Sequence, residues 1–262
     1  MEAIRKLQLL ESLVPALCSE RGIEAPATHD VDELWNGFRA LVNTRPPMPP
    51  DSEWLAQQDE LLQGMIANAG ITGLDGVEPS AVDSRLRLWR GDITTLAVDA
   101  IVNAANSQLL GCWVPGHFCI DNAIHTFAGV QLRIECARIM QEQGHEEPTG
   151  TVKITPAYNL PSGHVIHTVG PIANGAPTDV HREQLASCYR SCLDLAIMHG
   201  LHSVAFCCIS TGVFGFPQKE AAEIAVRTVR AWLDGHSTDM VVVFNVFGAT
   251  DEQLYRELLR TS

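Results

Sequence analysis

The chain has 262 residues, of which 46% are apolar and 19% charged, and its formal net charge is −13. This composition is typical of a folded globular protein and excludes a disordered or fibrous one. The chain has 18 basic residues, only three of them Lys, and 31 acidic residues. It therefore has no general attraction for phosphate backbones, and we expect no nucleic-acid partner.

The first third of the chain is acidic and helical in pattern. Residues 1–84 carry 14 acids against 5 bases. Apolar periodicity predicts helices over residues 1–21, 30–43 and 52–68, and the proline-rich segment 45–50 and the glycine-rich segment 70–76 interrupt the pattern. Asp51 or Ser52 is the expected N-cap of the third helix. We therefore predict a helical N-terminal extension, residues 1–84, packed on a main domain, residues 85–262.

From residue 85 onward, strands alternate with helices. Strands are predicted over residues 86–89, 98–105, 151–155, 165–169, 204–209 and 240–247, and helices over residues 121–143, 182–199, 218–233 and 251–259. Most of the strands are continuous runs of Val, Ile, Leu and Phe, as expected when helices cover both faces of a sheet. The pattern predicts a three-layer α/β fold, in which ligands bind beyond the carboxyl ends of the strands.

The N-terminus does not have the pattern of an export signal. Glu11 interrupts the apolar segment of residues 1–18, and its spacing fits an amphipathic helix better. No segment approaches the ~18 uninterrupted apolar residues of a membrane span. We therefore expect no membrane partner, a cytoplasmic location and a monomer, with the eight cysteines present as reduced thiols or metal ligands.

A glycine-containing loop, residues 210–217, follows the strand that ends at Ile209 and precedes a helix. Its glycines allow backbone amides to turn inward, and the helix N-terminus adds a positive dipole end, a combination suited to a diphosphate. The loop matches neither the P-loop nor the GxGxxG pattern, which disfavours a nucleoside triphosphatase or a hydride-transfer enzyme. The alternative is an ordinary strand-to-helix turn.

Cys112, His117 and Cys119 lie within eight residues. Thiolate and imidazole are zinc ligands, and three protein ligands suit a catalytic zinc with an open fourth position. Two alternatives remain: the three residues share a loop by coincidence, or a distant fourth ligand completes a structural site. The zinc deaminase signature fails, because His117 is followed by Phe118 and Cys119. His125 and His167 are expected to be packed histidines, and Asp121 has a competing function as a stabiliser of a helix N-terminus.

Four motifs, in this order, resemble those of macrodomains, which bind ADP-ribose: Gly91-Asp92-Ile93-Thr94, the run 98–106 that ends in Asn103-Ala104-Ala105-Asn106, Ile124-His125 with Gly129, and the run 209–217. The Cys/His segment and the helical extension are similar to those of the zinc-containing macrodomains, a microbial subgroup of protein-ADP-ribose hydrolases. The resemblance implies a three-layer α/β/α macrodomain with a mixed central sheet and a helical N-terminal extension.

The resemblance also implies a set of roles for individual residues. Asp92 and Ile93 would contact adenine, and Phe247 would stack near the adenosine, unless it is a core residue at a strand end. Catalysis at the distal ribose would use Asp121, Asn103 and Asn106, and Cys112, His117 and Cys119 would hold Zn²⁺. The residues implied to bind ADP-ribose are Asp92, Ile93, Asn106, Cys119, Ile120, Asp121, Ser210, Thr211, Gly212, Val213, Phe214 and Phe247.

The activity that the resemblance implies is zinc-dependent hydrolysis of mono-ADP-ribose esters on protein Asp or Glu side chains. By analogy, the modified partner is a lipoyl-carrier protein. The alternative is a reader, a module that binds ADP-ribose or ADP-ribosylated protein without cleaving it and uses zinc only to fix a loop.

Overall fold

Three helices make up most of the N-terminal extension in the computed structural model, which describes residues 1–260. They are α1 (Ala3–Glu20), α2 (Val31–Asn43) and α3 (Ser52–Ala69). Asp30 caps α2, and Asp51 caps α3 by accepting hydrogen bonds from the amides of Glu53 and Trp54. The three predicted helices are confirmed to within two residues at each end.

A six-stranded mixed sheet lies at the centre of the main domain. Its strands are β2 (Leu86–Arg90), β4 (Ala100–Ala105), β5 (Val152–Pro156), β6 (His164–Val169), β7 (Ser203–Phe206) and β8 (Val241–Val246). The strand order is β2-β8-β7-β4-β6-β5, in which all neighbours are parallel except the antiparallel pair β5 and β6. Two short strands, β1 (Thr72–Gly73) and β3 (Leu96–Ala97), pair separately. The mixed central sheet is confirmed.

The helices of the main domain flank the sheet. They are α4 (Ile120–Ala128), α5 (Val130–Gln143), α6 (Asp179–Met198), α7 (Gln218–Gly235) and α8 (Ala249–Leu258). Helices α6, α7 and α8 pack side by side, and α4 packs on β4. The prediction of one helix over residues 121–143 is wrong, because the chain breaks at Gly129, where φ is +97°. A Cβ at this position would lie 2.4 Å from the Gln131 side chain.

Two hydrophobic clusters support this architecture. The larger one lies around the sheet, and the smaller one joins α1, α2 and α3, with Val130 as the contribution of α5. Phe127 packs against both clusters, so the extension rests on the α4–α5 side of the main domain. The domain boundary after residue 84 stays a prediction. Within residues 1–260, no helix has the length and apolarity needed to cross a membrane.

Candidate active site

The carboxyl ends of five parallel strands lie at one edge of the sheet, and the predicted site residues lie in the last half of one of these strands or after three others. Asp92 follows β2, Phe247 follows β8, the 210–214 loop follows β7, and Asn103 is in the last half of β4. Open α/β sheets bind ligands at this edge. The sequence therefore selected residues that the fold brings to a common edge.

Two of the predicted ligand-binding residues, Asp92 and Ile93, follow the carboxyl end of β2. The Asp92 side chain is exposed, and its Oδ1 accepts hydrogen bonds from the Thr94 amide at 3.0 Å and the Thr94 hydroxyl at 2.7 Å. Ile93 is buried and begins a short 3-10 helix, Ile93–Thr95. Phe247 is 80% exposed, which rules out the core alternative for this residue. An exposed aromatic ring at this edge of the sheet is available for stacking.

The loop after β7 presents a row of backbone amides. Among the described residues, the amides of Gly212, Val213 and Phe214 have no intramolecular hydrogen-bond partner. Ser210 has a left-handed backbone, with φ at +65°, and its buried hydroxyl is likewise unpaired in residues 1–260. Consecutive free amides before a helix form an anion-binding concavity.

Glycine 170, directly after β6, fits closely against this loop. A Cβ at Gly170 would lie 2.1 Å from the Ser210 hydroxyl and 2.8 Å from the Ile209 side chain. The following segment holds the loop from the other side, because the amides of Ala173 and Asn174 donate to the Phe214 carbonyl at 2.8 and 3.0 Å. The amide row is thus fixed before any ligand arrives.

A buried polar chain near the carboxyl end of β4 consists of Asn103, Asp121 and His167. Asn103 is fully buried, and its Nδ2 donates to Asp121 Oδ1 at 2.8 Å and lies 3.2 Å from His167 Nδ1. Asn103 Oδ1 has no hydrogen-bond partner within residues 1–260. This buried amide oxygen therefore has an unused acceptor position.

Asp121 lies in the first turn of α4, where an acid stabilises the helix dipole. Burial raises the pKa of Asp121 to about 6, against the lowering effects of the Asn103 hydrogen bond and of nearby Arg133. His125 Nε2 lies 3.6 Å from Asp121 Oδ1. Burial lowers the pKa of His125 well below its ordinary value, so its ring is neutral. The geometry brings together a carboxylate suited to proton transfer and an unpaired amide.

The Asn106 side chain is hydrogen-bonded to the backbone of the segment that follows it. Its Nδ2 donates to the Gly111 carbonyl at 3.0 Å, and its Oδ1 accepts from the Gln108 amide at 3.0 Å. These bonds form the turn that leads from β4 into the Cys/His loop, which we define as residues 110–119. The implied contact of Asn106 with the distal ribose stays a prediction.

The three sequence-predicted metal ligands come together. The ligand atoms of Cys112, His117 and Cys119 all lie within 4.8 Å of one another, and Cys112 Sγ is 3.5 Å from His117 Nδ1. Tetrahedral zinc, with bonds of about 2.3 Å to sulfur and about 2.0–2.1 Å to nitrogen, separates two such ligands by about 3.6 Å. Burial raises the pKa of the Cys119 thiol to about 12, so its thiolate requires a nearby cation. The residues therefore fit a zinc ion.

Cys119 is also the N-cap of α4. Its Sγ accepts a hydrogen bond from the Asn122 amide at 3.4 Å. The next residue, Ile120, is half-buried and opens the helix, and Asp121 follows it. The Cys/His loop and the Asn103–Asp121 pair are thus adjacent in the structure as well as in the sequence.

Several residues at this site were missed by the sequence reasoning. His167 was expected to be a packed histidine and is fully buried, but its contact with Asn103 was not predicted. Gly170 was not singled out, although its place after a strand that ends at the ligand edge could have marked it. Nothing in the sequence pattern indicated that Asn43 and Arg39, from the extension, contact the Cys/His loop.

The fold and the arrangement of these residues define a three-layer α/β protein whose candidate ligand site lies at the carboxyl edge of a mixed sheet. A family model, the Macro domain, matches residues 102–225. A protein-ADP-ribose hydrolase of Treponema medium is 54% identical over 257 residues, covering 97% of this chain and 98% of that protein. The chain belongs to the macrodomain family.

Further relatives agree with this assignment. A protein-ADP-ribose hydrolase of Staphylococcus aureus strain MSSA476 is 52% identical over 86% of this chain and 85% of its own length. The Oceanobacillus iheyensis macrodomain with ADP is 43% identical, with a TM-score of 0.61 over 67% of this chain and 90% of its own. The Trypanosoma brucei macrodomain in complex with ADP-ribose is 30% identical, with a TM-score of 0.65 over 84% of this chain and 94% of its own.

Proposed function

We propose that this protein hydrolyses the bond between mono-ADP-ribose and an Asp or Glu side chain of a modified protein, using a zinc ion held by Cys112, His117 and Cys119. The proposal transfers to this chain the activity for which its relatives in Treponema medium and Staphylococcus aureus are named. An ADP-ribosylated protein is the proposed substrate. A lipoyl-carrier protein as the modified partner stays a prediction.

The order of features across the sheet carries the proposal. From β2 through β8 and β7 to β4, the edge presents Asp92, the Phe247 ring, the row of free amides and Asn103. Strands lie about 4.7–4.9 Å apart, so three spacings cover about 14 Å. An extended adenosine diphosphate ribose has its parts in the same sequence: adenosine at the carboxylate and the aromatic ring, diphosphate at the amides and distal ribose at Asn103.

At the distal ribose end, the Cys/His loop would contribute a bound zinc ion. When bound, zinc acts as a Lewis acid that polarises an oxygen atom of water or substrate. Zinc would also stabilise the thiolate of half-buried Cys119, whose pKa burial raises to about 12. The ligand distances described above support this assignment.

The remaining groups of the site have separate tasks in the proposed reaction. Asn103 Oδ1, which is buried and unpaired within residues 1–260, accepts a hydrogen bond from a distal ribose hydroxyl and fixes the sugar. Asp121 accepts a proton from the attacking water while the water oxygen bonds to the anomeric carbon of the distal ribose. The bond from that carbon to the acceptor carboxylate breaks, free ADP-ribose and a free carboxylate result, and Asp121 then returns its proton to solvent. Asn103 Nδ2 holds Asp121 in place at 2.8 Å.

The test measures release of label from an acceptor protein that carries mono-ADP-ribose on its acidic side chains. We expect loss of label with zinc, retention after chelation, and unchanged calorimetric binding of free ADP-ribose in both states. Cys119→Ser is expected to abolish turnover. Cys18→Ser, the same substitution at a buried cysteine of α1, is the matched control and is expected to retain it.

Three outcomes would contradict parts of the proposal. Tight binding of ADP-ribose with no release of label in any condition would make the protein a reader. Full turnover in metal-free protein would remove zinc from the mechanism, and full turnover of Asp121→Ala would remove the proposed base. Acceptors modified at arginine or serine test the linkage, and faster release from these than from acidic side chains would contradict ester specificity.

A further inference from the structure

We propose that the carboxyl end of α2 holds the Cys/His loop in its ligand geometry, and that Asn43 is the positioning residue of this contact. This inference rests on the proposed zinc site. It assigns a function to the extension, whose helices share an apolar cluster with Val130 of α5.

Asn43 is the last residue of α2 and is 1% exposed. Its Oδ1 accepts a hydrogen bond from the Gly116 amide at 3.1 Å, and its Nδ2 donates to the Thr126 hydroxyl at 3.0 Å. Gly116 precedes His117 and has a left-handed backbone, with φ at +64°. A single buried amide therefore ties the apex of the loop to α4.

The contact continues from α4 to a proposed ligand. The Thr126 hydroxyl donates to Asn122 Oδ1 at 3.4 Å. Asn122 in turn donates from its side chain to the Val114 carbonyl at 3.4 Å, and from its backbone to Cys119 Sγ at 3.4 Å. The polar chain that begins at Asn43 thus reaches the loop at three points, and one of them is a thiol of the Cys/His set.

A guanidinium holds the same two segments together from the other side. Arg133 Nη1 donates to the carbonyls of Val42 and Arg45 at 2.9 and 2.8 Å, and its Nε donates to the Leu110 carbonyl at 2.6 Å. The guanidinium also lies 4.5 Å from the centre of the Trp113 ring. The carbonyls at a helix end need partners, and here Arg133 contributes hydrogen bonds at the end of α2 and also fixes the start of the loop.

Arg39, one turn before Asn43, supplies a third contact. Its Nη2 lies 3.4 Å from the His117 carbonyl and 3.3 Å from Asn122 Oδ1, and its guanidinium covers the Phe118 ring at 4.9 Å. Residues 110–118 contain no helix or strand of their own. Groups outside the ligand set that orient metal ligands typically change metal affinity by about 10- to 100-fold when they are removed. We expect an effect of this size from Asn43.

The test compares Asn43→Ala with Gln58→Ala in the full chain. Gln58 is the matched control because it is also a fully buried amide between extension and main domain, accepting from the Val130 amide at 3.0 Å and donating to Gln131 at 2.9 Å, and it does not touch the loop. Zinc affinity is measured by competition with a chromophoric chelator. Amide hydrogen exchange of residues 110–119 is measured in metal-free protein.

We expect Asn43→Ala to raise the zinc dissociation constant about 10- to 100-fold and to speed exchange in the loop, while Gln58→Ala changes neither. Equal effects of both variants, or no effect of Asn43→Ala, would overturn the proposal. If Asn43→Ala does not fold, Thr126→Val removes the hydroxyl that links Asn43 to Asn122. Its zinc affinity and loop exchange are then judged by the same criteria. If the wild-type protein binds no zinc, the proposed function fails, and hydrogen exchange alone then decides whether α2 holds the loop.

Discussion

His167 is a buried histidine whose titration we expect to lower the stability of the fold in acid. It lies on β6 and is fully buried. Its Nδ1 faces Asn103 Nδ2 at 3.2 Å, and its Nε2 lies 3.1 Å from the Thr155 hydroxyl. An amide nitrogen can only donate, so Nδ1 accepts and the ring proton is on Nε2. The ring is therefore neutral in the folded protein.

The size of the effect follows from the pKa of His167. Burial lowers it from the ordinary 6.5 to about 4. Between these values the unfolded chain binds a proton that the folded protein does not. The stability that depends on neutral His167 is therefore fully present above pH 6.5 and is lost as the pH falls toward 4. At about 1.36 kcal/mol for each pKa unit, the complete loss is about 3 kcal/mol, of which about 2 kcal/mol falls between pH 7 and pH 5.

The perturbation is His167→Asn, which keeps an acceptor oxygen near the position of Nδ1 and removes the titrating ring. The free energy of unfolding is measured in urea at pH 7 and at pH 5, with chelator present so that metal release does not contribute. We expect the wild-type protein to lose about 2 kcal/mol more than the variant between the two pH values. His199→Asn removes an exposed histidine and controls for the change in histidine content.

The comparison between the variants separates this effect from other titrating groups. His125 is also buried with a lowered pKa, first because of burial and second because of nearby His167, so we expect most of its contribution to be common to the wild-type protein and to His167→Asn. Equal pH dependence of unfolding in these two proteins would refute the argument, because the folded state would then accommodate a charged ring at position 167. A higher stability of the variant at pH 7 would not refute the argument, since only the change in the free energy of unfolding between pH 7 and pH 5 tests the titration of His167.

Three other predictions concern the ligand cleft. Phe247→Ala is expected to weaken ADP-ribose binding by about 1–3 kcal/mol in calorimetry without lowering the melting temperature, because the ring is 80% exposed. Gly170→Ala is expected to weaken binding and stability together, because its Cβ would lie 2.1 Å from the Ser210 hydroxyl; unchanged affinity would mean that the loop yields. Asp92→Ala is expected to weaken binding of ADP-ribose more than binding of ribose 5-phosphate, and equal losses would contradict an adenine contact.

Most elements of the fold could be predicted because their signals are local. Apolar periodicity and a capping aspartate define α2 and α3, and runs of β-branched residues define β4, β6 and β8. The break between α4 and α5 could not be predicted in the same way. Glycine is tolerated inside helices, and at Gly129 the break is favoured by side chains from α3 and from the loop after β5 that occupy the space a Cβ would need.

In the candidate site too, local features could be predicted from the sequence and contacts between distant residues could not. Cys112, His117 and Cys119 are close in sequence, so their spacing was enough to predict that they would come together. The contacts of Asn103 with His167 and of Asn43 with Gly116 join residues 64 and 73 positions apart. Such pairs depend on strand order and on how the extension docks, and neither is encoded in a local pattern.

The charge distribution of the extension fits a site for a dianion. Residues 1–84 carry 14 acids against 5 bases, yet among the described residues no carboxylate of the extension hydrogen-bonds to the Cys/His loop. The groups of α2 that face this loop are an amide, Asn43, and a guanidinium, Arg39. Several of the acids are paired within the extension, such as Glu20 with Arg45 and Glu60 with Arg5. Because charges beyond about 10 Å are largely screened at 0.1 M salt, an acidic extension can approach a diphosphate site without repelling the ligand, provided that its contacting side is neutral or basic.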